Sequence, residues 1–371
     1  MGVDILLVIV VLTALAFDFT NGFHDTANVV ATSISTRAMG PRRAIAMASV
    51  LNFAGAFISL KVADTVGQGF VDTHAVTTTV IFSGLVGAIA WNLITWYFGL
   101  PSSSSHAMIG GLVGAVFAAA GWGAVDGHGV VTKLIVPAIV SPFVAFLAAA
   151  IAVLLSYRII GQARPGSVNR GFRLGQLVSS GLLALSHGTN DAQKTMGVIA
   201  LALVASGKIS AAHFHVPLWV VIAAASAISL GTFSGGWRII RTLGTRIIAM
   251  DPVQGFVAQT ASAVVILAAS RGGYPLSTTQ VVTGGITGAG AGKRLSAVRW
   301  GMAGEIVIAW VLTLPCAALM AALVYGIVSL FGSGDAGPLV LSALMLVALA
   351  AALLRARPAG RARGALEGEH P

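Results

Sequence analysis

Residues 101–114 read Pro101-Ser102-Ser103-Ser104-Ser105-His106 and continue through Gly110, Gly111 and Gly114. Residues 275–288 read Pro275-Leu276-Ser277-Thr278-Thr279-Gln280 and continue through Gly284, Gly285 and Gly288, at a constant offset of 174. A second pair matches at an offset of 166: Gly22-Phe23-His24-Asp25-Thr26-Ala27-Asn28 and Gly188-Thr189-Asn190-Asp191-Ala192-Gln193-Lys194, with Gly and Asp in register. Pro142 and Pro315 fall at 173. Three landmarks in chain order at nearly one offset mark a duplicated chain.

Composition says where such a chain resides. Of 371 residues, 56% are hydrophobic and only 9% charged, against about 25% charged in soluble domains, whose surfaces water must solvate. A soluble enzyme and a nucleic-acid binder are both excluded, and the bilayer is the expected partner. The net charge of +10 sits in short loops and the C-terminal stretch, where membrane proteins keep cytoplasmic positive charge. The single cysteine, Cys316, excludes disulfides and cysteine-based metal sites. Residues 1–17 are apolar with no Lys or Arg ahead of them, which reads as a retained first span and not a secretory signal.

About 20 apolar residues cross a bilayer as a helix. Apolar runs at 4–34, 44–61, 76–98, 103–121, 134–157, 174–207, 216–236, 253–270, 275–292, 302–330 and 337–354 predict an all-α polytopic membrane protein with about 11 (10–12) transmembrane segments. Basic loops follow the first, fifth, seventh, ninth and last runs, at 37–43, 158–173, 238–246, 293–299 and 355–363. An even number of crossings separates each cluster from the next. The positive-inside rule then assigns all five to the cytoplasm of an inner membrane, with the N-terminus outside and the C-terminus inside.

Five crossings per copy is an odd number, so the second copy must lie upside down. The expected organisation is a first repeat over 1–157, a basic cytoplasmic linker over 158–173, an inverted second repeat over 174–330, and an extra span with a basic tail over 331–371. Inverted repeats with broken or re-entrant helices are the architecture of secondary transporters, with the substrate near the midplane between the copies.

As one helix, the run 4–34 would be about 46 Å long, well beyond the roughly 30 Å hydrocarbon core. Its polar, glycine-containing middle, 19–28, predicts a break that leaves Asp25 at membrane depth. The same reading applies to Asp191 in Ser186-His187-Gly188-Thr189-Asn190-Asp191. An ionisable residue inside a span marks a functional site by default. Asp25 and Asp191, with the amides of Asn28 and Asn190, suit a hard cation such as Na⁺ or Mg²⁺, or a proton. The plainer alternative is that each aspartate caps a half-helix.

Pro101 and Pro275 end a helix just where hydroxyl runs begin, so each run should open a new half-helix. Helix N-termini offer free N–H groups and a positive dipole end, which together bind anions. Ser103, Ser104, Ser105, Ser277, Thr278 and Thr279 add hydroxyl donors, and two such tips facing each other would cradle a tetrahedral oxyanion without the over-tight grip of an arginine cage. Lys194, three residues after Asp191, is a basic residue at depth; it either neutralises the anion or makes an i, i+3 ion pair. His24, His106 and His187 abut these motifs and could relay protons near neutral pH, as could Glu305. Gly110-x-x-x-Gly114 and Gly284-x-x-x-Gly288 suit close helix packing.

At these residues the chain resembles the PiT family of inorganic phosphate transporters. Asn21-Gly22-Phe23-His24-Asp25-Thr26-Ala27-Asn28 is similar to the first family signature, and His187-Gly188-Thr189-Asn190-Asp191 with Lys194 to the second. Trp96-Tyr97-Phe98-Gly99-Leu100-Pro101 and the residues after Pro275 resemble the paired substrate tips. The resemblance covers nearly the whole chain, and His24 resembles the bacterial low-affinity branch. It implies a symporter rather than an enzyme, with Asp25 and Asp191 serving the coupling ion or a divalent metal and the Ser/Thr tips serving phosphate. Bound cofactors are not expected. The cargo would be phosphate, free or as a neutral metal complex, moving with protons. Na⁺ coupling and sulfate are the alternatives within the fold, and a homodimer is compatible with it. An intramembrane aspartyl protease is the remote alternative, though the Gly-x-Gly-Asp context expected of one is missing at both aspartates.

Overall fold

Each of the eleven apolar runs coincides with a helix in the computed structural model, which describes residues 4–332 and 335–356. The chain forms α1 (Ile5–Ser35), α2 (Pro41–Gly55), the short α3 (Lys61–Gln68), α4 (Thr78–Phe98) and α5 (Ser104–Ala120). Then α6 (Gly127–Gly129) runs through a π-helical stretch, Val130–Ile135, into α7 (Val136–Ile160). After it come α8 (Pro165–Ala205), α9 (Leu218–Ser234), α10 (Trp237–Arg241), α11 (Pro252–Arg271), α12 (Thr278–Lys293), α13 (Trp300–Ser329) and α14 (Ala336–Ala356). Most of the basic tail, including Arg357, Arg361 and Arg363, lies outside the described residues.

This is a polytopic, all-helical membrane protein. Large side chains such as Phe143, Ile151, Ile159, Val311 and Leu319 are exposed along α7 and α13, a continuous apolar surface that only lipid can cover. Among the described residues, α1, α4, α6–α7, α11 and α13 are long and apolar enough to cross a bilayer unaided. The bent pair α9–α10, turned by 61°, adds a sixth. The count falls below the expected eleven for simple reasons. Helices α2, α5 and α12 have only 15, 17 and 16 residues, α8 is polar through its middle, and the described apolar part of α14 runs only over Ala336–Val347.

The expected breaks in the first and sixth runs are corrected by the structure. Helix α1 is continuous over 31 residues and α8 over 41. Their glycines mark close crossings: a Cβ on Gly22 would lie 2.4 Å from the Ile228 carbonyl oxygen of α9, and one on Gly188 would lie 2.1 Å from the Asn52 carbonyl oxygen of α2. Because other helices supply partners for the polar side chains, the backbone need not open. The true interruptions lie elsewhere. One is Gly235–Gly236, between α9 and α10, where Gly235 takes φ +74° and a Cβ on Gly236 would meet the Phe23 carbonyl oxygen at 2.2 Å. The other two are the turns 99–103 and 272–277.

Those turns join α4 to α5 and α11 to α12, two helical hairpins. Gly99 ends α4 in the left-handed conformation, φ 68°, which glycine adopts without strain. Ser103 and Ser277 then cap the new helices, accepting from the backbone N–H of His106 at 3.2 Å and of Gln280 at 3.3 Å. The returning arms pack crosswise along the chain, α5 against α13 and α12 against α7. Gly110 and Gly114 abut Leu314 and Ala318, and Gly284 and Gly288 abut Pro142 and Phe146, as the small-residue spacing predicts. Both hairpin turns reach the place where α1 and α8 meet.

Candidate functional site

Four elements converge there: the middles of α1 and α8 and the starts of α5 and α12. Asp25, Asp191, Lys194, Ser104, Ser105, Thr278 and Thr279 are all buried. On α1, the Asp25 carboxylate accepts from Ser104 Oγ at 2.7 Å and from Thr279 Oγ1 at 3.3 Å, and lies 2.6 Å from His24 Nδ1. The second ring nitrogen of His24 lies 3.3 Å from both Thr95 Oγ1 and Ser102 Oγ. On α8, the Asp191 carboxylate accepts from Thr278 Oγ1 at 3.0 Å and pairs with Lys194. His187 Nε2 lies 2.9 Å from Asp191 Oδ2 but has no directed hydrogen bond, so their contact is one of proximity.

The two matched segments thus make the same contact. Ser104 and Thr278, matched at an offset of 174, each bond the aspartate of the matched pair Asp25 and Asp191. The next hydroxyl of each tip reaches across. Thr279 accepts from the Asn28 amide at 2.9 Å, and Ser105 accepts from Lys194 Nζ at 2.5 Å while donating to the Leu276 carbonyl at 2.9 Å. Lys194 also donates to the Leu276 carbonyl at 2.7 Å. With Asp191 as the third acceptor, every ammonium proton is used. Lys194 therefore makes the i, i+3 ion pair and also ties both tips together.

Ligand atoms of Asp25, His187 and Asp191 lie within 4.8 Å of one another, a spacing that would admit one shared cation. Two carboxylates against one ammonium leave the cluster net negative while both imidazoles are neutral. A cluster of that sign does not attract an anion unless cations come with it.

Several expected members of the site stand elsewhere. Asn190 points away, donating to Ser270 Oγ at 2.8 Å and to the Tyr274 carbonyl at 3.1 Å, so it braces the second hairpin. The hydroxyl oxygens of Ser103 and Ser277 are engaged as caps. Glu305 is corrected: it sits in the second turn of α13 with an exposed side chain and has no place in the cluster. The structure also adds residues that patterning did not single out. Asn52 lies 3.3 Å from His187 Nδ1, Thr95 meets His24, and Asp18 is buried in α1. A lone polar residue within an apolar run was the available signal for each.

A model of a family described as the phosphate transporter family matches residues 21–321 of the chain. A Mycobacterium bovis protein described as a "probable low-affinity inorganic phosphate transporter" is 52% identical over 354 residues, covering 95% of this chain and 85% of that one. A Bacillus subtilis protein of the same description is 44% identical over 328 residues, covering 88% and 98%. Among solved structures, one titled "The sodium-dependent phosphate transporter" superposes with a TM-score of 0.75 at 26% identity, covering 88% of this chain and 99% of that one.

Proposed function

The chain belongs to the phosphate transporter family, and from that premise we propose that it imports inorganic phosphate across the cytoplasmic membrane by symport with protons. The relatives are named as carriers and not as enzymes, and the protease reading falls with them. Phosphate is the cargo those names support; sulfate is the alternative anion.

The observation that carries the coupled reading is the charge of the site. Asp25 and Asp191 outnumber Lys194, so a phosphate anion entering alone would add to an uncompensated negative charge in a low-dielectric interior. Cations must therefore accompany it. Each carboxylate has an imidazole within 3 Å, a pairing that supports protons as those cations. The hydroxyls of Ser104, Ser105, Thr278 and Thr279, with the N-termini of α5 and α12, are the donors we assign to phosphate; Ser103 and Ser277 keep those N-termini in shape. A divalent metal travelling with phosphate would find Asp25, His187 and Asp191 as its ligands. The sodium-dependent title of the solved neighbour supports a second reading in which Na⁺ takes that place.

Orientation follows the basic loops, with the N-terminus outside. Two loops assigned to the cytoplasm touch each other: Arg299 donates to the Thr245 carbonyl at 3.2 Å. Arg238 stacks over Trp96 and Tyr97 at the end of α4, which supports assigning that end to the same side. We also propose the inverted repeat over 1–157 and 174–330, supported by the matched contacts of the two aspartates.

The deciding experiment is uptake of labelled phosphate into proteoliposomes, with pH and Na⁺ gradients imposed separately and unlabelled sulfate as competitor. Uptake driven by the pH gradient and indifferent to sulfate is expected. Uptake driven by Na⁺ alone would replace protons with sodium in the mechanism. Entry of sulfate in place of phosphate would overturn the substrate.

A further inference from the structure

Asp18 lies on α1, seven residues before Asp25. That spacing sets the two carboxylates on one face of the helix, about 10 Å apart along its axis. Asp18 is fully buried, and neither of its oxygens has a hydrogen-bond partner. The side chains facing it are Thr195 of α8 and Asn21 of α1. Thr195 Oγ1 and Asn21 Oδ1 are themselves buried and without partners. Both facing groups can donate to the carboxylate, but neither does so in directed hydrogen-bond geometry, so a fully buried carboxyl has no well-made partner, whereas folded proteins leave few such groups in total. A bare charge sealed there would cost more than any hydrogen bond could return.

A purely structural carboxylate would be expected to cap a helix or pair with a cation. Asp4 and Asp251 cap helices, and Asp191 pairs with Lys194. Asp18 does neither. The charged groups that face it, Asp191 and Lys194, both come from α8, and Lys194 has spent its protons on Asp191, Ser105 and Leu276. Its own helix adds His24 and Asp25, about two turns on. The helix packed most extensively on α1 is α9, which carries no titratable residue; α4 carries only Tyr97, at its far end.

We propose that Asp18, with the Thr195 hydroxyl and the Asn21 side-chain amide beside it, is a second cation site on the transport path and that its ligand is a proton. One proton suits the geometry. Protonation removes the uncompensated buried charge, and the neutral acid can still accept from the Thr195 hydroxyl and the Asn21 amide. With the N-terminus outside, Asp18 stands between the outer surface and Asp25. The carboxylate takes a proton from the outer water to become the neutral acid and releases it inward as the cluster turns over, one proton per cycle. The inference rests on the proton-coupled reading given above.

The test compares wild type with Asp18→Asn and Thr195→Val in proteoliposomes, reading labelled phosphate uptake with and without a pH gradient. A pH dye trapped inside reports protons entering per phosphate, and phosphate counterflow at equal pH reports the exchange step alone. Asp18→Asn is expected to exchange phosphate more slowly, while stimulation by the pH gradient falls to about onefold and the proton-to-phosphate ratio drops by about one. Thr195→Val leaves the carboxylate in place but removes one of the two groups beside it; it is expected to slow pH-driven uptake while keeping the proton-to-phosphate ratio near that of wild type. An Asp18→Asn carrier with the wild-type proton ratio, or one with no exchange at all, would overturn the role of Asp18. Wild-type uptake indifferent to the pH gradient would instead overturn the coupled reading itself, so the two failures are distinct.

Discussion

Asn28 and Lys194 occupy the matched positions three residues after the two aspartates, and each reaches the hairpin tip that the other half of the chain contributes. The geometry is repeated but the charge is not, because one half supplies a neutral amide and the other an ammonium. The lone positive charge in the cluster is therefore a departure from the duplication.

Removing that charge should be costly. Lys194→Met leaves the Asp191 carboxylate buried and unpaired, a loss of about 3–5 kcal/mol, and uptake should fall by roughly 100-fold or more. Lys194→Arg should not restore it, because a planar guanidinium cannot serve three acceptors arranged around a compact ammonium. Uptake per milligram of reconstituted carrier, with melting temperature in detergent alongside, checks both. Full activity in the arginine variant would refute the three-point clamp.

Ser104 and Asp25 should be energetically coupled. Asp25→Asn is expected to abolish gradient-driven uptake while leaving expression intact. Ser104→Ala alone should weaken phosphate transport by roughly tenfold, since a hydrogen bond to a charged group contributes about 1.5–3 kcal/mol. In a double-mutant cycle read by thermal unfolding, the pair should show a coupling energy of that order. Additive effects would mean that the 2.7 Å contact contributes nothing.

The glycines of the returning hairpin arms give a packing test. A Cβ on Gly114 would lie 2.2 Å from the Ala318 carbonyl oxygen, and one on Gly288 would lie 2.1 Å from that of Phe146. Either substitution to Ala should cost about 1–3 kcal/mol and lower the melting temperature. Gly301→Ala, with nothing within 4 Å, should not. Equal melting temperatures for all three would contradict the crosswise packing of α5 on α13 and α12 on α7.

Asp251, ahead of α11, supplies a pH dependence outside the spans. Burial alone would raise its carboxyl, but hydrogen bonds from Lys293, Tyr157 and the Gln254 backbone hold it below the usual carboxylate range. A carboxyl depressed on folding stabilises the protein above its unfolded value, near pH 4. That stability is lost as the pH falls through the lower, folded value. Melting temperature in detergent, followed from pH 6 downward, should drop less steeply for Asp251→Asn than for wild type. Parallel curves would exclude the linkage.

Glu305 should be dispensable for transport. Its side chain is exposed on α13, so Glu305→Gln should carry phosphate within about twofold of wild type, as surface substitutions generally do. A loss of pH-driven uptake in that variant would return it to the proton path.

Duplication made the heart of the site legible, because two imperfect copies show which residues recur when either copy alone would pass for a kinked helix. Asp25, Asp191 and the Ser/Thr tips were visible for that reason. The breaks were misplaced because a glycine among polar residues looks alike whether it opens a helix or lets another helix approach; Gly22 and Gly188 do the second. Glu305 misled because a carboxylate in an apolar run carries no sign of which face it takes. Asp18 went unnoticed for the opposite reason, having no counterpart in the second copy, where Ala184 stands at the matched offset of 166.

The crosswise packing also bears on how the chain is made. Gly110 and Gly114 of α5 find their contacts on Leu314 and Ala318, which the ribosome adds about 200 residues later. At roughly 5–20 residues per second, the first hairpin waits on the order of 10–40 seconds with its glycine face against lipid. During that interval it has only weak reason to hold its final tilt. The cluster where α1, α5, α8 and α12 meet is therefore fixed late in synthesis, when α13 arrives to close the arm that the beginning of the chain left open.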